Sequence, residues 1–213
     1  MPQSFDIKDK ICLVSGANRG IGLAILEGLL RHGASKVYAG VRTLSSVENL
    51  VAKYGSDKVV PLKLDKSNPA TIKETANVAQ DVQCVVNNAG ILVLAEPFAN
   101  GGDEAKNDEF VDALQNQMDV NVVGLVRMAQ AFAPILEKNG GGAIVNISSI
   151  AALRHLSVPT AVYSMTKGAM IEFTKNIALQ YAAANVRANC VLPGYIDTPF
   201  IQRIVNGRPA YEY

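Results

Sequence analysis

The sequence predicts a three-layer α/β domain: a doubly wound parallel sheet with helices on both faces. Three observations predict it. Six short β-rich apolar runs alternate with amphipathic helical stretches, and such alternation calls for parallel pairing through right-handed crossovers. The strand runs lack strict apolar–polar alternation, as expected for a sheet covered on both sides. The first run also leads into a glycine-rich turn that opens a helix, the usual entrance to a dinucleotide-binding α/β fold.

In chain order, Ile11–Ser15 reads as a strand, and Ile21–Arg31 repeats apolar residues at helical spacing. Lys36–Gly40 is the second strand and Val47–Tyr54 the next helix. Val59–Leu64 alternates in part and reads as the third strand. Ser67-Asn68-Pro69 then supplies a helix start, with proline near the first turn. Val82–Val86 is the fourth strand, and a long helix is expected from about Asp108 to Lys138. Gly140-Gly141-Gly142 ends it before the strand Ala143–Ile147. A helix from about Val162 to Ala183 and a strand Val186–Leu192 complete the pattern. No repeat, low-complexity tract or linker divides the chain, so residues 1–213 are expected to form one domain.

The composition is that of an ordinary globular chain. Of 213 residues, 49% are hydrophobic and 18% charged, with a formal net charge of +1. That balance gives no electrostatic reason to expect a nucleic acid or an anionic membrane as partner. Cys12, Cys84 and Cys190 lie in strand-like runs without metal-ligand spacing and read as buried reduced thiols. No leader-like segment opens the chain, and no apolar run approaches the roughly 20 residues of a membrane span, so a cytoplasmic location is the expectation.

Gly16-Ala17-Asn18-Arg19-Gly20-Ile21-Gly22 follows the first strand. Glycines at these places let the backbone turn sharply and approach a pyrophosphate, and the helix N-terminus behind offers free N–H groups. A tight turn with no ligand is the plain alternative. About 20 residues on, an NAD site carries an acid for the ribose hydroxyls. Here the second strand ends in Gly40-Val41-Arg42, and the first acid downstream is Glu48. Arg42, with Arg19 from the glycine turn, would converge on a 2′-phosphate; otherwise both are solvated surface arginines. The reading is NADP(H).

Tyr163 and Lys167 stand four apart at the start of a helix and would share one face. A free tyrosine has a pKa of about 10, too weak for acid–base work at neutral pH. An ammonium about 4 Å away, at an effective dielectric near 20, would favour the phenolate by about 4 kcal/mol. The expectation is therefore a phenol brought near physiological pH. Upstream, the strand Ala143–Ile147 ends in Ser148-Ser149, where side chains beyond a parallel strand face the ligand crevice. A serine there could hold a carbonyl oxygen beside the tyrosine, or could be a simple N-cap.

These segments together resemble the short-chain dehydrogenase/reductase superfamily. They are Ser15 with the glycine turn, Asn87-Asn88-Ala89-Gly90, Asn121-Val122-Val123-Gly124, Ile144–Ser149, Tyr163-Ser-Met-Thr-Lys167 and Pro193-Gly194-Tyr195-Ile196-Asp197-Thr198. The motifs run in order from roughly Lys10 to Pro199. The resemblance implies a Rossmann-like fold and reversible hydride transfer between NADP(H) and a carbonyl or alcohol substrate. It implies that Tyr163 is the general acid in reduction and the base in oxidation. Lys167 would lower its pKa, hold the nicotinamide ribose and join a proton relay through Asn121. Ser149, preferred to Ser148 by its distance from Tyr163, would hold the substrate oxygen. Asp65 matches an adenine contact, although an aspartate ending a strand is also a good turn former. Asn88, Ala89 and Gly90 would line the adenosine ribose; Ile196 and Thr198 would meet the carboxamide. A homodimer or homotetramer, built through the long helix and the one bearing Tyr163, is implied too.

Two departures stand out. Ser15 replaces the usual threonine and keeps its hydroxyl. Family members usually continue some tens of residues past the Pro-Gly motif, with a substrate-covering helix and a last strand. Here Phe200–Tyr213 follows and Asn206-Gly207-Arg208-Pro209 does not read as a strand. A shortened lid over residues 193–213 and a sheet without the last strand are expected, unless part of the chain is absent from this sequence. A non-catalytic NADP(H)-binding sensor or scaffold on the same fold is the main rival, and an epimerase or dehydratase a lesser one. His155 reads as a loop histidine, and Met118, Met128, Phe132 and Ile135 as a subunit face or as core. Pocket walls are expected from Leu92–Gly102, Leu153–Val162 and the region after Thr198.

Overall fold

The computed structural model describes residues 6–94, 104–154 and 159–202. His155, much of the expected pocket wall at 92–102 and the segment 203–213 lie outside them. The strands are β1 (Ile11–Ser15), β2 (Lys36–Val41), β3 (Val59–Lys63), β4 (Cys84–Asn87), β5 (Gly142–Ile147) and β6 (Val186–Val191). All pair in parallel, in the order β3-β2-β1-β4-β5-β6. The order reverses between β1 and β4, and a crevice opens at that switch beyond the strands' carboxyl ends. The doubly wound sheet predicted from the sequence is present.

The helices are α1 (Gly20–Arg31), α2 (Glu48–Tyr54), α3 (Pro69–Val78), α4 (Glu104–Gln117), α5 (Gly124–Lys138), α6 (Ala161–Gln180) and α7 (Pro199–Gln202). The Asn68 side chain caps α3 by accepting from Ala70 N, with Pro69 in the first turn, as the local sequence indicates. The helix expected over 108–138 is present but changes pitch part-way. A π-helical turn, Met118–Val123, separates α4 from α5; such turns re-aim side chains and concentrate at functional sites.

The strand interiors are buried on both faces. Cys12, Leu13 and Val14 are wholly buried: Leu13 joins Tyr38, Val85 and Ile144 in the core under α3, α5 and α6, whereas Cys12 and Val14 join Leu26 and Leu50 under α1 and α2. Cys12 and Cys84 face each other in register and, like Cys190, are free thiols. Met128, Phe132 and Ile135 belong to the core, which removes the subunit-face alternative for these three. The 108–138 segment does reach the length and hydropathy of a membrane span, contrary to expectation, but half of its most apolar window is buried within the fold. β6 departs from two-sided burial. Val186 is buried while Arg187, Asn189 and Val191 are exposed, because among the described residues α6 covers one face of β6 and no helix covers the other.

A line of buried amides crosses the core below the crevice. Asn87 Nδ2 donates to Asn146 Oδ1 at 2.8 Å, and Asn146 Nδ2 donates to Thr174 Oγ1 at 2.8 Å. This stitches β4 to β5 and β5 to α6. Replacing Asn146 by Ala leaves Asn87 Nδ2 without an acceptor, while Thr174 keeps its bond to Met170 O, and an unpaired buried polar group costs about 1–3 kcal/mol. Urea unfolding of Asn146→Ala should show a loss of about 1–3 kcal/mol; a loss well under about 1 kcal/mol would show that the network carries little.

Candidate active site

The crevice is lined by residues at or just past the carboxyl ends of all six strands. β1 delivers Ser15, whose hydroxyl is buried and fully used. It donates to Val86 O at 3.3 Å and accepts the N–H groups of Asn88 and Ala89, each at 3.0 Å. Asn88 Nδ2 returns the contact, donating to Ser15 O at 3.0 Å and Gly16 O at 3.3 Å. The carboxyl ends of β1 and β4 are thereby locked together, and the glycine turn is held against that lock.

Gly16 and Gly20 have φ of 69° and 54°, a region that side chains disfavour. Gly22 is required by contact: a Cβ there would lie 2.1 Å from Gly16 O. It backs the turn, and the crevice itself is lined by the residues before it. α1 begins without a side-chain cap and without an acid in its first turn, so its N–H groups are left for a ligand. Gly16, Asn18, Arg19, Gly20 and Ile21 all line a cleft of about 690 Å³, within the size range of cofactor sites.

Arg19 and Arg42 are both exposed and both border the same cleft. Asp65 lines it too, with Oδ1 accepting from the Ser67 N–H and hydroxyl, so the turn-forming reading of that aspartate is realised. Ala89, Gly90 and Ile196 border the cleft, as does buried Thr198, whose hydroxyl donates to Ile196 O.

Ser149, Tyr163 and Lys167 line the same cleft. Tyr163 is nine-tenths buried, and its ring lies 6.3 Å from that of Phe200. Lys167 shares its face of α6, with Nζ 5.4 Å from the Tyr163 ring centroid. The ammonium donates to Ile147 O at 2.7 Å. The expected lowering of the phenol is not found here. Burial drives Tyr163 up to about 12, and the Ser149 hydroxyl pulls only weakly the other way. The ammonium faces ring and carbonyl instead of the phenol oxygen, so desolvation wins. Lys167, buried likewise, falls to about 8.

Both serines border the cleft but differ in what they bond. Ser148 is buried and donates to Lys167 O at 2.8 Å, whereas Ser149 is half-buried and accepts from Ala151 N at 3.2 Å. Ser149 is both an N-cap and a neighbour of Tyr163.

Asn121 is wholly buried and does not line the cleft. Its Oδ1 accepts from Ile91 N at 2.9 Å, while Nδ2 donates to Ile91 O at 2.9 Å and Thr166 Oγ1 at 3.1 Å. The π turn thus points an amide at both the loop after β4 and α6. A Cβ on Gly90 would come 3.1 Å from Asn121 Oδ1 and 3.6 Å from Lys167 Nζ, so these groups meet across that glycine. Lys66 was not anticipated. It is 3% exposed, borders the cleft and donates to Ala89 O at 3.0 Å. Its position after a strand end was a signal; its burial was not.

Residues 10–209 match the sequence profile described as short chain dehydrogenase. The chain belongs to that family. This short-chain dehydrogenase is 34% identical over 200 residues to a 7alpha-hydroxysteroid dehydrogenase of Paraclostridium sordellii, covering 90% of this chain and 71% of that one. It is 31% identical to dehydrogenase/reductase SDR family member 4 of Oryctolagus cuniculus, over 91% of this chain and 73% of that protein. Among solved structures, a short chain dehydrogenase of Burkholderia cenocepacia in complex with NADP superposes with a TM-score of 0.82 at 35% identity. The match covers 96% of this chain and 79% of that one. The chain is thus an oxidoreductase by family.

The Ser15 lock yields a stability test. Ser15→Ala removes the acceptor of two N–H groups at the crevice floor, at a cost of about 1–3 kcal/mol per unpaired group. A chemical-denaturation midpoint unchanged from the parent would show that the lock contributes nothing.

Proposed function

We propose that this short-chain dehydrogenase is an NADP(H)-dependent oxidoreductase acting on a ketone or aldehyde and the corresponding alcohol, with Tyr163 as acid and base. The observation that carries the reading is the lining of one cleft. It gathers the phenol of Tyr163, the ammonium of Lys167, the hydroxyl of Ser149 and the two arginines Arg19 and Arg42, and no acid follows Arg42 in the chain before Glu48.

The residues fit a dinucleotide. The uncapped N-terminus of α1 and the glycine backbone suit a pyrophosphate, and Arg19 with Arg42 suits a 2′-phosphate. When bound, the cofactor supplies or accepts the hydride. Every remaining task falls to the chain. Ser149 donates a hydrogen bond to the carbonyl oxygen as charge grows there, and Tyr163 passes its proton to that oxygen. Lys167 stabilises the phenolate left behind, and Asn121 holds α6 and the loop at 91 in place as a relay member. A phenol near 12 stays protonated at neutral pH, which is the form needed for reduction. The reading carries a cytoplasmic homodimer or homotetramer, for which exposed Met165 and Leu179 on α6 offer apolar surface.

Three measurements test this. Tyr163→Phe should bind NADPH as the parent does and lose at least about 10³-fold in turnover over a panel of ketones and aldehydes; retention of parental NADPH oxidation would remove Tyr163 from the role, while a parent inactive across the panel would favour a sensor. For the pH profile, Lys167 has its folded pKa depressed to about 8, so its charge is present at pH 7 and lost as pH rises. Reduction should hold steady to about pH 7 and fall through pH 8, and a rate still climbing at pH 9 would contradict it. For the cofactor, Arg42→Asp should weaken NADPH binding by about 10–100-fold with little effect on NADH; equal losses for both would place Arg42 elsewhere.

A further inference from the structure

Lys66 has no part in the chemistry above, yet the fold accommodates it at some expense. The residue follows Asp65 at the carboxyl end of β3, and its side chain turns inward past Gly124. A Cβ on Gly124 would lie 2.8 Å from Lys66 Cβ, so the start of α5 leaves it room. Its Nζ donates to Ala89 O at 3.0 Å. Ala89 in turn packs on the phosphate turn, its Cα 3.2 Å from where a Gly16 Cβ would stand. Across the next residue, Lys167 Nζ lies 3.6 Å from the position of a Gly90 Cβ. Two buried ammonium groups therefore flank the dipeptide Ala89-Gly90 at the floor of the cleft.

Among the described residues, neither has a carboxylate partner. Asp65 is bonded to Ser67, and Asp119 of the π turn pairs with Arg127 of α5, which also bonds Ser67 O. α6 contributes Lys167, which pushes Lys66 in the same direction as burial does. Residues 88–90 contribute no acid. A buried charge without a counter-charge is costly, and the missing negative charge is what an anionic dinucleotide brings into this cleft.

We propose that Lys66 is a proton-linked anchor for the dinucleotide, taking up a proton when the anionic cofactor binds and holding the Ala89 carbonyl beneath it. This rests on the NADP(H) reading above. The electrostatics agree: burial and the Lys167 charge bring Lys66 down to about 7, so the free protein holds it only partly charged at neutral pH. The sign in the free protein follows. A folded pKa below that of the unfolded chain means that the unfolded state binds more protons between about pH 7 and 10.5, so Lys66 opposes folding and does so less as pH rises.

The test compares the parent with Lys66→Met, using NADPH itself and no turnover. Calorimetric titration at pH 7.5 in buffers of different ionisation enthalpy should show the parent taking up about one proton more than the variant. Parental Kd should weaken about tenfold more than the variant's between pH 7 and 8.5. In thermal melts at pH 7, the variant without ligand should melt above the parent and gain less from NADPH. Equal proton uptake and equal pH slopes would overturn the anchor while leaving the NADP(H) reading in place. A parent that binds no NADPH would sink that reading first. Should Lys66→Met not fold, the parent alone decides: no proton uptake above pH 7 ends the proposal, and Lys66→Gln supplies the slope comparison.

Discussion

The rest of this structure depends on one hydroxyl. Ser15 gathers the backbone N–H groups of Asn88 and Ala89 at the end of β4, and Asn88 answers by holding the backbone of Ser15 and Gly16. Those bonds join the two strands between which the sheet changes direction. They therefore set the width of the crevice where a doubly wound sheet takes its ligand. The glycine turn is positioned on one side of the lock. On the other, Ala89 and Gly90 are placed so that Asn121, Lys167 and Lys66 converge on them. A hydroxyl was legible at that position as a conservative departure from threonine, but that it satisfies three backbone groups at once is visible only in the fold.

The crevice floor is rich in cations and poor in acids. Lys66 and Lys167 are both nearly inaccessible, and both are bonded to main-chain carbonyls. A carbonyl dipole cannot offset the desolvation of an ammonium as a carboxylate does, which is why both pKa values fall. Tyr163 moves upward for the same reason, since burial penalises its charged form. Neutral tyrosine and weakened lysines are one electrostatic statement: this floor resists charge of either sign until something else enters it. The sequence estimate placed an ammonium beside the phenol oxygen and obtained the opposite direction. Its arithmetic was sound for about 4 Å, but the ammonium is turned toward Ile147 O.

The fold was readable because its signals are local and periodic. β1 runs over Ile11–Ser15 as read, and Asn68-Pro69 begins α3. Misses came where tertiary contacts outvote pattern. The π turn at Met118–Val123 has no sequence mark, since its helical neighbours are equally apolar and its reason is Asn121 reaching Ile91 and Thr166. The β4 boundary moved from Val82–Val86 to Cys84–Asn87, because Asn87 continues the pairing with Asn146 that apolar periodicity cannot show. In the site, Arg19, Arg42, Ser149, Tyr163 and Lys167 could be named from spacing. Gly22 could be named as well, and the contact shows why it is glycine: a side chain there would meet Gly16 O. Lys66 carries no sequence mark of burial, and only its path past Gly124 shows it.

A buried lysine with no acid partner among the described residues is difficult to explain as a contribution to stability. An apolar side chain of similar length in the same space would pack against Gly124 and avoid the desolvation cost. The same argument applies less strongly to Asn121, whose amide makes three bonds and so repays its burial. The difference separates two kinds of polar group in this floor. Asn121, Asn146 and Ser15 are satisfied by the protein and hold the crevice open to a fixed shape. Lys66 and Lys167 are satisfied only in part, so they leave a positive potential whose natural complement is a ligand with phosphate groups. Rigidity comes from the first set and affinity from the second, and the two meet at the Ala89-Gly90 dipeptide.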